Sequence, residues 1–327
     1  MRRQPRGCLL FCKFVFRMEF TFTTLGTSSA SPNPHRQTAA HLLRVRGHNY
    51  LIDCGEGCQK SLQQQGCGFA SIDNIFISHL HGDHLFGIFG LLSTMSMQGR
   101  TAPLYIYAPT GFQAIKDFFM EQFADGVKYE IIFTPLRMKG KEMIMENRNI
   151  EVYAFPLNHR VDTFGFMFCE KQPQRNVRKW MVEAYNLSLH EIALLKNGES
   201  VMREDGEELE VERFTYYPYH PRSFAYCCDT APFDNLAGWV AGADMIYHDA
   251  TYSEADSDKA EKYGHSTGVS AARLAVQAGA KQLVLGHFSA RYPNAEVIAE
   301  EARTVFPGAV AARDGGSYSI PLDKISD

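Results

Sequence analysis

The chain has 327 residues, of which 45 % are hydrophobic, 21 % charged and 12 % aromatic, values that exclude a disordered, collagenous or disulfide-stapled chain and allow a sizeable core. The formal charge of −4 excludes a broad electrostatic grip on polyanions, so any nucleic-acid contact has to come from local basic patches or from metal ions. No window offers the roughly 18 uncharged apolar residues of a membrane-spanning helix, and the eight cysteines form no pair of C-x-x-C motifs, which predicts buried free thiols.

Residues 1–17 join Arg2, Arg3 and Arg6 to an apolar stretch, yet Lys13 interrupts it and no small-residue cleavage site follows. The stretch reads as an N-terminal extension or a start codon placed too early. Strand patterns over 19–25, 41–45 and 49–53 follow with no helix between them, which predicts antiparallel pairing. Helical periodicity marks 85–97, 111–123, 269–278 and 295–306. In the second of these, Phe112, Ile115, Phe119 and Phe123 form one stripe expected in the core. Ser266 or Thr267 and Asn294 are the expected caps of the last two. Between Lys171 and Arg222 the pattern changes to a basic cluster (Arg175, Arg178, Lys179), a helix-like stretch over 177–195 and an acidic run over 204–212. We expect a single domain over 18–327 carrying this segment, 171–222, as an inserted arm with the acidic run solvated.

Five apolar runs each end on a ligand-type residue. Residues 74–78 lead into His79, 152–158 into His159, 224–228 into Asp229, 245–247 into His248 and 283–286 into His287. In layered α/β proteins ligand sites gather at the carboxyl edges of strands. Any one of the five reads more simply as a half-buried histidine or a capping aspartate. Their repetition argues for one shared site.

The block His79-Leu80-His81-Gly82-Asp83-His84 carries the strongest signal. His79 and His81 lie two apart in an extended segment, so both imidazoles reach one ion. Asp83 and His84 follow the turn at Gly82 and can serve a second ion beside it, in a pair roughly 3.5–4 Å apart. Imidazole and carboxylate donors favour zinc, with manganese or iron as tolerable substitutes. Two such cations lower the pKa of a shared water toward roughly 7 and offset charge on a phosphate. The chemistry indicated is hydrolysis.

The chain resembles the ribonuclease Z family of transfer-RNA 3′-end endonucleases, in the metallo-β-lactamase superfamily. The resemblance rests on Leu25-Gly26-Thr27-Ser28-Ser29, Asp53-Cys54-Gly55-Glu56-Gly57, the histidine block, Pro156-Leu157-Asn158-His159, Cys228-Asp229-Thr230, His248-Asp249-Ala250-Thr251, His265-Ser266-Thr267 and His287-Phe288-Ser289-Ala290-Arg291-Tyr292. It implies a four-layer αββα sandwich and a cytoplasmic homodimer that binds two Zn²⁺ per subunit (Mn²⁺ or Fe²⁺ as alternatives) and cuts the 3′ trailer from precursor tRNA. It also implies that His79, His81 and His159 hold one zinc, that Asp83, His84 and His287 hold the other, and that Asp229 bridges them. Asp83 would orient or deprotonate the attacking water. His248 would protonate the departing 3′ oxygen, with Asp249 fixing its tautomer or raising its pKa. Ser289, Arg291, Tyr292 and the arm residues Arg175, Arg178 and Lys179 are candidates for RNA contact. The chain departs from the family in having Asp249 in place of a usual glutamate. It also has Asn186-Leu187-Ser188-Leu189-His190-Glu191 where the bacterial form carries a Gly-Pro-rich arm motif. If the altered arm no longer holds RNA, the same metals would serve a phosphodiesterase or other hydrolase acting on small substrates. A metal-free RNA-binding relative is disfavoured, since packing alone demands no such ligand set.

Overall fold

The computed structural model describes residues 18–125 and 127–325, so the reading of residues 1–17 lies outside the described residues. Strands β1 (Phe20–Gly26), β2 (Ala40–Val45), β3 (His48–Cys54), β4 (Ile72–Phe76), β5 (Leu104–Pro109) and β6 (Ile131–Leu136) form a seven-stranded sheet with β18 (Ser317–Ser319), in the order β18-β1-β2-β3-β4-β5-β6. The first three pair antiparallel, β1 and β2 across a loop over 27–39 and β2 and β3 across a short turn. From β3 to β6 the pairing is parallel, as crossover helices require. A second seven-stranded sheet runs β17-β16-β15-β14-β9-β8-β7. Its strands are β7 (Glu142–Glu146), β8 (Ile150–Pro156), β9 (Phe164–Glu170), β14 (Ser223–Cys227), β15 (Met245–Asp249), β16 (Gln282–Gly286) and β17 (Ala309–Ala311).

The inner faces of the two sheets meet through aromatic rings. Phe22 stacks on Phe224 with centroids 4.5 Å apart, and Phe76 meets Phe166 and Phe168 edge-on. These rings bury large areas and lock the sheets in register. Helices cover both outer faces. Leu62, Leu91, Leu92, Met95, Phe112 and Phe119 pack on the first sheet, while Ala271, Ala272, Ala275, Ile298, Ala299 and Ala302 pack on the second. The molecule is a four-layer αββα arrangement. Among the described residues no helix is long and apolar enough to cross a membrane.

The structure departs from the periodicity reading in several places: the helix expected over 85–97 is two, Gly82–Leu85 and Ile88–Met97, and the one expected over 295–306 spans Glu296–Arg303. The stripe expected in the core over 111–123 holds for Phe112 and Phe119, but Phe123 is 55 % exposed because the helix ends at Gln122 and the chain leaves the 3.6-residue period there. The helix-like stretch 177–195 splits into Lys179–Ala184 and Leu189–Lys196. Asn186 takes a left-handed φ of 46°, and Ser188 and Glu191 form a capping box that restarts the helix. Residues 171–222 carry their own small core of Met181, Leu187, Leu195, Leu209, Val211 and Phe214. Two-residue strands β10 (Asn176–Val177) and β13 (Thr215–Tyr216) pair at its base, and β11 (Val201–Met202) pairs with β12 (Glu208–Leu209).

Candidate metal centre and active site

The site lies where strands of both sheets end. Phe76 closes β4, and the segment after it is fixed by Asp53, which accepts from the Ser78 N–H at 2.7 Å. His81 stays extended (φ −69°, ψ 148°) and a short helix opens at Gly82, which turns His84 back toward His79. A Cβ on Gly55 would stand 2.3 Å from the Asp83 carbonyl oxygen, so only glycine lets the two loops approach. Asp53, Asp229 and His287 each follow or end a strand in the left-handed region, with φ of 56°, 60° and 60°. Non-glycine residues rarely adopt it, and such positions cluster at functional sites.

Asp229 divides the donors into two groups. Its Oδ2 faces His79 Nε2 at 3.6 Å and His159 Nε2 at 3.9 Å, with His81 Nδ1 3.0 Å from His79 Nε2. Its Oδ1 faces His84 Nε2 at 3.3 Å and His287 Nε2 at 3.2 Å, and those two nitrogens are 3.2 Å apart. Asp83 Oδ2 lies 3.7 and 3.6 Å from the same two nitrogens and accepts from the Ala30 N–H at 2.7 Å.

The second nitrogen of most of these rings is already engaged. His84 Nδ1 pairs with Asp53 Oδ2 at 2.7 Å, His287 Nδ1 with Thr251 Oγ1 at 2.9 Å, and His79 Nδ1 with Ser78 Oγ at 3.0 Å. His159 Nδ1 donates to the Gly264 carbonyl at 2.7 Å, which fixes its tautomer and leaves Nε2 as a lone pair. That Nε2 is buried without a hydrogen-bond partner. Burial, then the nearby His84, push His79 down to about 3, and burial lowers His81 and His159 as well. Neutral imidazoles with converging lone pairs around a carboxylate are a cation site. At His84 burial opposes the charge, but Asp229, Asp53 and Asp83 outweigh it and raise the imidazole. The donor set therefore fits divalent metal.

Relatives and neighbours agree with this geometry. A protein of Bacteroides fragilis named Ribonuclease Z is 36 % identical over 302 residues, covering 92 % of this chain and 99 % of its own. Another of that name, from Phocaeicola vulgatus, is 34 % identical over 306 residues, covering 94 % and 99 %. The chain belongs to the ribonuclease Z family. The crystal structure of human tRNase Z, short form, superposes with a TM-score of 0.67 at 28 % identity, covering 92 % of this chain and 99 % of that one. At 17 % identity, the metallo-β-lactamase fold protein YhfI of Bacillus subtilis shares the fold, with a TM-score of 0.65 over 92 % of this chain and 99 % of its own. The sequence family described as Anti-Pycsar protein Apyc1 takes in residues 20–198, and that match stops before Asp229, His265 and His287. As a ribonuclease Z family member the chain is a metal-dependent endoribonuclease.

Two residues of this ribonuclease Z family chain change places relative to the sequence reading. β15 runs to Asp249, two residues beyond the run read from sequence, and side chains alternate along it. Tyr247 stacks on Tyr226 between the sheets, so Asp249 shares that face and His248 takes the opposite one. His248 is buried, with Nδ1 2.8 Å from the Asp249 carbonyl, and no contact joins it to the donor cluster. The position expected of His248 is filled by His265, to which its sequence motif alone gave no role. His265 Nδ1 lies 2.8 Å from Asp249 Oδ2, and the residue lines a cleft of about 550 Å³ together with His159, Arg160, Lys262 and Arg273. Burial opposes its charge, but the Asp249 carboxylate outweighs burial and raises His265 to about 9. Asp249 also accepts from Thr251 Oγ1 at 2.6 Å and the Thr230 N–H at 3.2 Å, which holds its carboxylate in place. Asp53, fully buried and bonded to His84, Ser78 and the Tyr226 hydroxyl, likewise received no role from sequence.

The candidate RNA contacts are partly committed elsewhere. The Tyr292 hydroxyl bonds Asp256 and Ser253, and its carbonyl accepts from Arg36. Arg291 is exposed beside Ser289 Oγ at 3.3 Å. In the arm Arg175 forms a bidentate pair with Glu212 at 2.6 and 2.9 Å and lies over Tyr217, while Arg178 lies over Tyr216. Lys179 opens the helix Lys179–Ala184.

Proposed function

We propose that this chain removes the 3′ trailer from precursor tRNA as a zinc-dependent endonuclease, leaving a 3′-hydroxyl on the tRNA. The observation that carries the reading is the single carboxylate of Asp229 with three imidazoles on one oxygen's side and two on the other, beside an acid poised at the cleft. His79, His81 and His159 would hold one ion; Asp83, His84 and His287 would hold the other; Asp229 would be shared. Bound there, divalent metal supplies Lewis acidity and an acidified water. Asp83 takes the proton of the attacking water, its carboxylate aligned by the Ala30 N–H. Attack in line at phosphorus breaks the bond to the 3′ oxygen, and His265, held protonated by Asp249, delivers a proton to that oxygen as it leaves. Asp249 is a positioning residue, and its reach to His265 is direct although its side chain is one methylene shorter than the family's usual glutamate. The homodimer, in which one subunit's arm presents RNA to the other's site, and the cytoplasmic setting belong to the same proposal and rest on the resemblance.

The test supplies purified, zinc-loaded protein with a precursor tRNA and, separately, a small phosphodiester. We expect a single cut at the 3′ end of the tRNA body, loss of activity on chelation, and recovery with zinc. Efficient turnover of the small diester with RNA left intact would replace this reading by the small-substrate hydrolase.

A further inference from the structure

The cleft of about 550 Å³ beside His265 carries three cations of its own, Arg160, Lys262 and Arg273. Arg160 and Lys262 both lie over the Tyr263 ring, at 5.7 and 5.5 Å from its centroid, which holds the two charges side by side. All three are exposed, and among the described residues none is tied up in an ion pair, unlike Arg175 of the arm, which is bound to Glu212. Of the two carboxylates in the cleft wall, Glu254 already accepts from Thr267 Oγ1 at 2.7 Å, which leaves Glu261 to oppose three cations. On a chain of formal charge −4, this is the local basic patch that contact with a polyanion requires. Its volume lies within the roughly 300–1,000 Å³ of small-ligand sites, room for one nucleotide.

The polarity of the cut decides which nucleotide that is. In-line displacement places the attacking water and the departing oxygen on opposite sides of phosphorus. Asp83 serves the water and lies outside the cleft wall, whereas His265 serves the departing 3′ oxygen and lines it. The bond that breaks joins phosphorus to that oxygen, so the phosphate and the water's oxygen go to the trailer, and the proton from His265 goes to the tRNA body. The nucleotide that owns the departing oxygen therefore stands on the His265 side. We propose that the cleft is the site of the last nucleotide of the tRNA body, with Arg160, Lys262 and Arg273 neutralising the phosphate on its 5′ side. This inference rests on the precursor-tRNA reading and deepens it by giving the RNA a direction, body past His265 and trailer past Asp83. A small diester lacks that phosphate and gains nothing from the three cations.

Two modified precursor tRNAs test it with the zinc-loaded protein. Each carries one uncharged methylphosphonate, on the 5′ side of the last body nucleotide in the first and on the 3′ side of the first trailer nucleotide in the second. In the parent the first change is expected to lower kcat/KM by about 10–100-fold, the loss of one charge-assisted contact. Arg160→Gln and Arg273→Gln are each expected to lower kcat/KM for the unmodified precursor and to shrink the penalty of the first methylphosphonate while leaving that of the second unchanged. Shrinkage confined to the second would put the trailer in the cleft and overturn the proposal, as would equal penalties in parent and variants. A measurement on the parent alone decides the question even if a variant folds poorly. A precursor with a methylene in place of the departing 3′ oxygen, which resists cleavage, carries 4-thiouridine as its last body nucleotide. Ultraviolet crosslinks are expected within 158–160 or 257–273, and crosslinks elsewhere would overturn the assignment alone. Failure of the parent to cut the unmodified precursor would overturn the tRNA reading and this site with it.

Discussion

The rim that carries the donors and the arm over 171–222 are built on opposite plans. At the rim, side chains from both sheets converge with almost no exposure, and most imidazoles are gripped at a second atom by Asp53, Thr251, Ser78 or the Gly264 carbonyl. The arm closes over a few apolar side chains and is laced by ion pairs with solvated partners, such as Arg175 with Glu212, whose side chain is 76 % exposed. The first plan fixes atoms where chemistry needs them. The second leaves a surface that can be altered without disturbing them.

The largest effect is expected at the rim. His265→Gln removes the proposed proton donor and is expected to lower kcat for precursor tRNA by about 10²–10⁴-fold, whereas His248→Gln keeps kcat and lowers only the melting temperature. Steady-state cleavage with thermal melts on both variants separates the two; equal loss of kcat would reinstate His248.

A buried ion pair at the far end of the sandwich sharpens the contrast in stability. Glu170 receives Arg222 at 2.7 Å and Arg46 at 2.6 Å with its side chain fully buried. Burial alone would raise its pKa, but the two guanidinium groups outweigh burial and lower it. A depressed carboxylate stabilises the fold above its unfolded value, about 4.3, and that stabilisation fades as pH falls through the lowered folded value. Glu170→Gln is expected to cost about 3–5 kcal/mol at neutral pH, because Arg222 is left buried and unpaired, and to flatten the acid limb of stability measured by denaturant melts. In the arm, Glu212→Gln is expected to cost less than about 1 kcal/mol.

Between these lies the arm as a whole. Deleting 177–213 is expected to raise the KM for precursor tRNA severalfold while kcat for a small diester holds, since the donors lie outside the deleted segment. Equal damage to both substrates would mean that the arm supports the rim.

The strand-end rule made much of this legible. His79, His159, Asp229 and His287 stand where apolar runs stop, and periodicity located the main helices. Asp53 obeys the same rule at the end of β3 and lies in one of the stretches that carry the family resemblance, but its work is to hold His84 rather than to face the cleft. His248 misled because β15 continues two residues beyond its apolar run, and alternation then reverses which neighbour points inward. His265 follows a helix instead of a strand, so only its partnership with Asp249, sixteen positions away, reveals it. No local pattern encodes such a pairing. Phe123 shows the limit of periodicity, which cannot say at which turn a helix stops.

Gly264 ends the helix Ser257–Tyr263 in a left-handed conformation, with φ 73°, and in one step aims its carbonyl at His159 and delivers His265 to Asp249. Each residue added to or removed from that helix rotates the downstream chain by about 100°. A one-residue insertion or deletion there would misalign the His159 tautomer and the proposed proton donor together, so the proposed chemistry fixes the segment length within 257–265 while those side chains facing solvent are free to drift.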